Sequence, residues 1–318
     1  MGRSFFCGTN RNRTSDTRIF SPLLYLLSYG ASQVFTIKIC SAKVRFFLKC
    51  NVISVFFFTF AKLLFNKLIV KEKEIRFVID DGNSSMKIAA YQGDEWLFFD
   101  RSEHLSNDFL QQCVRNFPTQ KTSKAIFIST RKKDNERLKL LFHFFDLMIF
   151  SHQTPVPINN FYETPATLGL DRLASVVGAV ALFEKNNILV IDAGTCITYD
   201  FIDTQKNYHG GGIMPGLQMK LQSLHNFTGN LPLVSLGTAE KLCGSNTEEA
   251  ILAGTINVTL LGLDALIESF KQQYTDLKTV LCGGHTKIVQ SLLKNDTFAE
   301  PKLVLYGLKQ ILDFNEDT

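Results

Sequence analysis

Two aspartates, Asp80 and Asp192, lie 112 positions apart and share one local grammar. Each closes an apolar run and opens a glycine turn that leads into a second extended run. At Asp192 the turn is Ala193-Gly194-Thr195. At Asp80 it passes through Gly82, Asn83 and Ser84, and a second strand starts near Lys87. A glycine lets backbone approach a phosphate, the turn's N–H groups point inward, and a hydroxyl adds a donor. The aspartate can hold a cation or an ordered water beside that phosphate. One such unit also reads as a buried strand with a polar turn. Two of them at domain spacing suggest a duplicated α/β fold whose phosphate loops face one cleft.

A third cluster lies between them. Gly169, Leu170, Asp171 and Arg172 open a helix whose apolar positions (Leu173, Val176, Val177, Val180) and small residues (Ala174, Gly178, Ala179) predict close burial. Asp171 has two readings. It either stabilises the helix dipole, or it serves as general base toward a substrate hydroxyl, with Arg172 beside it for an anionic group. Tyr162 lines the same pocket or is a packed loop aromatic. The glycine run 210–216 suits a close backbone approach to a ligand or to another segment. Thr247 is expected to cap a long helix over 248–270, or to donate to a ligand. Gly283, Gly284 and His285 form a turn where a nucleotide base or sugar could rest.

The remaining elements follow from pattern. Helices are expected over 106–116, capped by Ser106, and over 135–145, with Leu138, Leu141, Phe142 and Phe145 inward. Further helices are expected over 217–227 and 301–313, and strands over 124–129, 147–150 and 279–282.

The formal charge of +4 is unevenly spread. Residues 1–73 hold twelve basic and two acidic residues, a sum of +10; the other 245 hold twenty-two basic and twenty-eight acidic, a sum of −6. The main body is therefore acidic, which argues against nucleic acid as a partner. Residues 1–73 read as an atypical extension outside the fold, through an over-extended reading frame or disorder. A membrane anchor and an extra structural element are the alternatives; the Phe-rich run at 52–61 is short for a span. Seven cysteines without a C-x-x-C fit reduced thiols and a cytoplasmic location. Six histidines without a ligand spacing argue against zinc.

Taken together, the segments at 80–87, Tyr162 with Pro165, 169–172, 192–195, 210–216 and 244–247 resemble type III pantothenate kinases, over about residues 75–314. The resemblance implies the actin/Hsp70/sugar-kinase superfamily: two ribonuclease-H-like halves, 74–184 and 185–318, with the active site in the cleft between them. It implies phosphorylation of pantothenate by ATP, the first step of coenzyme A synthesis. Asp80, Asp81, Gly82, Asn83, Ser84, Ser85, Met86, Lys87 and Thr195 would contact ATP. Tyr162, Gly169, Leu170, Asp171, Arg172 and Thr247 would contact pantothenate, with Asp171 as proton acceptor. Asp192 would bind a monovalent cation, K+ or NH4+, and Mg2+ would come with ATP. The family's members are homodimers. Alternatives are a non-catalytic regulator of the same fold and another small-molecule kinase of the superfamily. Three positions depart from the family's usual residues. Asp81 stands for an apolar or neutral residue and adds negative charge near a triphosphate, Ser84 stands for Thr, and Leu170 stands for Ala.

Overall fold

The computed structural model describes residues 34–39, 42–47, 74–115, 117, 123–131, 134–239 and 241–316. The chain falls into two compact units, 1–70 and 71–318. In the first, β1 (Val34–Ile39) and β2 (Ala42–Phe47) form an antiparallel pair. The run at 52–61, weighed above as an anchor, lies outside the described residues.

The second unit contains two sheets of one design. In the first sheet the strands are β3 (Ile75–Asp81), β4 (Met86–Gln92), β5 (Glu95–Ser102), β6 (Ser123–Ser129) and β7 (Phe145–Ile149), in the order β5-β4-β3-β6-β7. The second sheet has β8 (Asn159–Asn160), β9 (Asn187–Ala193), β10 (Cys196–Ile202), β11 (Asn207–Pro215), β12 (Leu277–Cys282) and β13 (Phe298–Ala299), in the order β13-β12-β9-β10-β11-β8. Setting β8 aside, each sheet is a three-stranded antiparallel meander whose first strand pairs in parallel with the fourth, and the fourth with the fifth. A meander extended by parallel crossovers, present twice, is the duplicated ribonuclease-H-like architecture. Asp80 and Asp192 occupy the same place in each copy, at the end of the central first strand.

The helices are α1 (Asn107–Arg115), α2 (Asn135–Phe144), α3 (Leu170–Leu182), α4 (Leu217–Asn226), α5 (Thr247–Leu252), α6 (Val258–Gln273), α7 (Thr286–Leu292) and α8 (Leu303–Glu316). Ser106 caps α1 through a bond from the Phe109 N–H (3.1 Å). The long helix expected over 248–270 is interrupted: Ala253–Asn257 forms a π-helical turn between α5 and α6. Its cap is Asn246, whose side chain accepts from the Glu249 N–H, not Thr247. Phe142, expected inward, is 51% exposed.

Strands buried on both faces read as continuous apolar runs, and here alternate residues feed different cores. Phe77 and Ile79 of β3 pack with Leu110 of α1 and Leu141 of α2. Val78, on the other face, joins a central core with α3, α8 and the Ile188/Val190 face of β9. Leu189 and Ile191 look outward onto α6 and α7. The central layer is made of α3 and α8, which cross at glycines. A Cβ on Gly307 would lie 1.7 Å from the Ala174 carbonyl oxygen, and one on Gly178 would lie 2.3 Å from that of Leu303. The helices are exchanged between the sheets. In sequence α3 follows the strands of the first sheet, yet it packs on β9 and β10; α8 follows those of the second and packs on β3 and β6. Arg76 Nη1 and Tyr91 Oη bond Asp313 at 2.7 and 2.8 Å, and Lys124 pairs with Glu316, which tie α8 to the first sheet.

Candidate active site

Each loop grows from the register of its hairpin. Asp80 and Lys87 are directly opposed across β3 and β4, so both side chains emerge on one face. Lys87 Nζ lies 2.9 Å from Asp80 Oδ2. The carboxylate is buried, and burial raises its pKa more than Lys87 lowers it. Burial also opposes the charge of Lys87, yet the carboxylates of Asp80 and Asp192 outweigh it and hold Lys87 above the usual lysine range. Gly82, Asn83, Ser84 and Ser85 turn the chain toward Met86, whose side chain sits in the first-sheet core. Ser84 Oγ lies 3.5 Å from Thr195 Oγ1. The two glycine turns therefore meet across the cleft through their hydroxyls.

Asp192 sits at the corresponding end of β9. Its pKa is raised to about 6, first by burial, with Lys87 opposing and Asp171 adding to the rise. Cys282 stands opposite it in the parallel register of β12, and burial beside the Asp192 carboxylate raises the thiol's pKa. Gly283 follows at φ +91°, a conformation that favours glycine. A Cβ there would lie 2.3 Å from Asp192 Oδ1. The Gly283–His285 turn thus curls around the second loop, with the His285 N–H bonded to the Ala193 carbonyl (2.9 Å). Asp171 raises the pKa of both Asp80 and Asp192, so three carboxylates share the cleft with Lys87.

Asp171 stands in the first turn of α3. Its Oδ1 accepts from the Arg172 N–H at 2.9 Å. Among the described residues its Oδ2 has no hydrogen-bond partner. Gly169 is the N-cap, without a side-chain cap, and Leu170 packs on the central core.

Arg172 is buried and committed. Its Nε and Nη2 bond Asp200 at 3.1 and 2.7 Å, and Tyr208 Oη donates to the same carboxylate at 2.6 Å. Burial opposes the guanidinium charge, but Asp200 outweighs it and raises the pKa. Tyr162 stacks on Tyr208 (centroids 6.2 Å apart) beside the Arg172 guanidinium. Gly210, at φ +91°, makes room for that ring: a Cβ would lie 2.9 Å from Tyr162 Cδ2. Asp200 and Tyr208 were not singled out in the sequence. An aspartate within the otherwise apolar end of β10 was the available signal.

Thr247 keeps other company. It lines a groove of about 580 Å³ with Lys220, Ser223, Leu224, Ile251 and Thr255. The groove lies between α4 and the α5–π turn segment.

A duplicated cleft holding Asp80, Asp171, Asp192 and one lysine matches phosphoryl-transfer chemistry, which asks for positioning and charge control. The sequence profile of the type III pantothenate kinase family matches residues 76–269. The chain belongs to the type III pantothenate kinase family. The Christiangramia forsetii type III pantothenate kinase is 39% identical over 245 residues, spanning 76% of this chain and 99% of that protein. The Phocaeicola vulgatus one is 39% identical over 242 residues, with the same coverage. Among solved structures, a glucokinase from an Antarctic psychrotroph aligns over 76% of this chain and 99% of its own, with a TM-score of 0.43 and 11% identity.

Proposed function

We propose that this chain transfers the γ-phosphate of ATP to the hydroxyl of pantothenate, giving 4′-phosphopantothenate. The observation that carries the reading is the approach of Ser84 to Thr195, which brings two phosphate loops together above Asp80, Lys87, Asp171 and Asp192. Family membership supplies the substrate.

In this reading the turn residues 82–85, flanked by Asp80, Asp81, Met86 and Lys87, cradle the triphosphate, with Thr195 donating from the opposite loop. Backbone N–H groups and the Lys87 ammonium hold the γ-phosphate in line with the acceptor. Asp171 Oδ2 takes the hydroxyl proton as the oxygen attacks phosphorus and the bond to the β-phosphate oxygen breaks. Tyr162, Gly169 and Leu170 shape the pantothenate pocket, while Thr247 within this chain lines the separate groove beside α4. Arg172, spent on Asp200, fixes that wall rather than offering a free cation.

Asp192 is the candidate ligand for a monovalent cation, K+ or NH4+. The fit rests on its donor set: a carboxylate wedged against the backbone of Gly194 and Gly283, where an added Cβ would lie 3.0 and 2.3 Å away. Hard oxygen donors of this kind suit such an ion. When bound, the ion would supply positive charge beside the phosphates. Mg2+ would arrive with ATP, as the kinase family implies.

The active assembly in this reading is a homodimer. Val258 and Leu261 of α6 are 64% and 50% exposed, and a Cβ on Gly254 or Gly262 would meet open space. A long helix with an uncovered apolar face suits a second copy. In this reading the halves are 74–184 and 185–318 in sequence, with β8 and α3 lent to the second sheet and α8 to the first, and free cysteines at Cys113, Cys196, Cys243 and Cys282 suit the cytoplasm.

The test is the purified chain with Mg-ATP, K+ and pantothenate. Formation of phosphopantothenate supports the reading. ATP binding without product would favour a regulator, and product with a different acceptor only would favour another kinase.

A further inference from the structure

Asp81 carries a charge at the first phosphate loop, and the structure changes what that charge does. Successive strand residues point to opposite faces, so Asp81 turns away from Asp80 and Lys87. Its carboxylate, 2% exposed, accepts from Arg137 Nη1 at 3.0 and 2.8 Å and from Ser129 Oγ at 3.1 Å, and lies 3.3 Å from Arg131 Nε. Two guanidinium groups face Asp81, and Arg137 also pairs with Asp134 at 3.5 Å, so the cluster sums to zero and the Asp81 charge is fully offset.

Arg131 is the unusual member. Its Nε donates to the carbonyl oxygen of Gly82, inside the turn, at 2.8 Å, and its own N–H donates to Ser129 Oγ at 3.1 Å. The Thr130 N–H, next to it, bonds the Asp81 carbonyl at 3.2 Å. The guanidinium is therefore anchored through Nε. Among the described residues its two Nη atoms have no hydrogen-bond partner, and the side chain is 27% exposed. Meanwhile the cleft is poor in cations. Asp80, Asp171 and Asp192 share Lys87, and Arg172 is consumed by Asp200. Mg2+ and the monovalent cation would bring charge with the nucleotide, but of Lys87 and Arg172 only Lys87 keeps its charge within the cleft, paired with Asp80. A guanidinium held by Nε presents a planar Nη pair, the geometry that grips phosphate oxygens.

We infer that Arg131 is a further nucleotide-phosphate ligand, hung on the first loop by the Gly82 carbonyl, and that Asp81 is the residue that positions it. This rests on the kinase reading only for the identity of the nucleotide. The departure at position 81 thus comes with its own compensation on β6 and α2.

Two measurements test the inference without needing turnover. On the wild-type chain, phenylglyoxal labelling of Arg131 is followed by mass spectrometry with Mg-ATP, with AMP, and with no nucleotide. Mg-ATP is expected to slow labelling at least fivefold, and AMP to leave it unchanged. In Arg131→Met, the Kd for Mg-ATP by titration calorimetry is expected to rise about tenfold or more, with Arg131→Lys in between and the KM for pantothenate within twofold. Equal labelling rates with and without ATP overturn the assignment, as does an Arg131→Met Kd within twofold of wild type. The labelling arm stands even if the variant fails to fold. A chain that protects Arg131 with ATP but leaves pantothenate untouched would overturn the kinase reading alone. Turnover with Arg131 unprotected would overturn this inference alone.

Discussion

At the residue scale, Asp171 and Asp192 are both carboxylates in one cleft, and their surroundings divide the work. Asp171 lies at a helix N-terminus with one oxygen engaged by the Arg172 N–H. Asp171→Asn keeps that acceptor and removes the base. Its kcat is expected to fall about 10³-fold, with the KM for ATP within twofold and an unchanged melting temperature. A kcat within tenfold of wild type would remove Asp171 from the mechanism. Asp192 differs because burial dominates its titration. Its folded pKa of about 6 stands above the ordinary 3.8. Between pH 4 and 6 the unfolded chain has already released this proton while the folded chain retains it. Stability contributed by this group is therefore present at low pH and lost as pH rises through 6, by about 3 kcal/mol. Cation binding runs the other way and strengthens as the carboxylate ionises. Thermal melts in buffer free of K+ and NH4+, at pH 5 and pH 8, should show half of this fall, roughly 1.4 kcal/mol, in wild type and a smaller one in Asp192→Asn. Identical pH slopes for the two proteins would refute the assignment.

These two aspartates were legible because their neighbours in sequence are their neighbours in space. The Arg172–Asp200 pair was not. It spans 28 positions and joins a helix to a strand, so reading Arg172 beside Asp171 gave it a substrate to bind where the fold gave it a buried partner. The Asp81 cluster escaped for the same reason. Its arginines lie 50 and 56 positions downstream, on segments whose own patterns carry no hint of a carboxylate.

At the scale of elements, the central layer depends on two glycines. The crossing of α3 and α8 leaves no room for a methyl at Gly307. Gly307→Ala is expected to destabilise the chain by about 3 kcal/mol or more, read from urea unfolding. Because α3 carries Asp171 at its start, kcat should fall as well. A variant as stable as wild type would show that the helices part easily. The close packing of α3 was readable from its small residues, but its partner was not, since α8 lies 120 positions away. Helix α6 shows the opposite limit. Its apolar pattern is strong enough to predict one helix over 248–270, yet the chain inserts a π turn at Ala253–Asn257. Such turns commonly mark functional sites, and periodicity averaged over a window does not resolve one extra residue. Phe142 was misjudged inward because the exposed side of a short helix depends on where the sheet lies.

At the scale of the whole molecule, the uncovered face of α6 makes a prediction about assembly. The double variant Val258→Asp, Leu261→Asp should convert a dimer to a monomer in light scattering, and lower turnover if the second copy completes the pantothenate pocket. A wild-type chain already monomeric at micromolar concentration would remove the dimer from the reading. The topology of each sheet was foreseeable from the repeated Asp-turn unit. The exchange of covering helices between the sheets was not, because nothing local in α8 names β3 and β6 as its floor. That exchange bears on how the protein is made. The first sheet is complete once Ile149 has been synthesised, but one of its faces waits for α8. At about 5–20 residues per second, the ribosome needs roughly 10–30 s more to reach Glu316. Through that interval Val78, Ile126 and Ile128 lack their final cover. A stop codon between Ile149 and Leu303 would leave the first sheet formed but without its α8 cover.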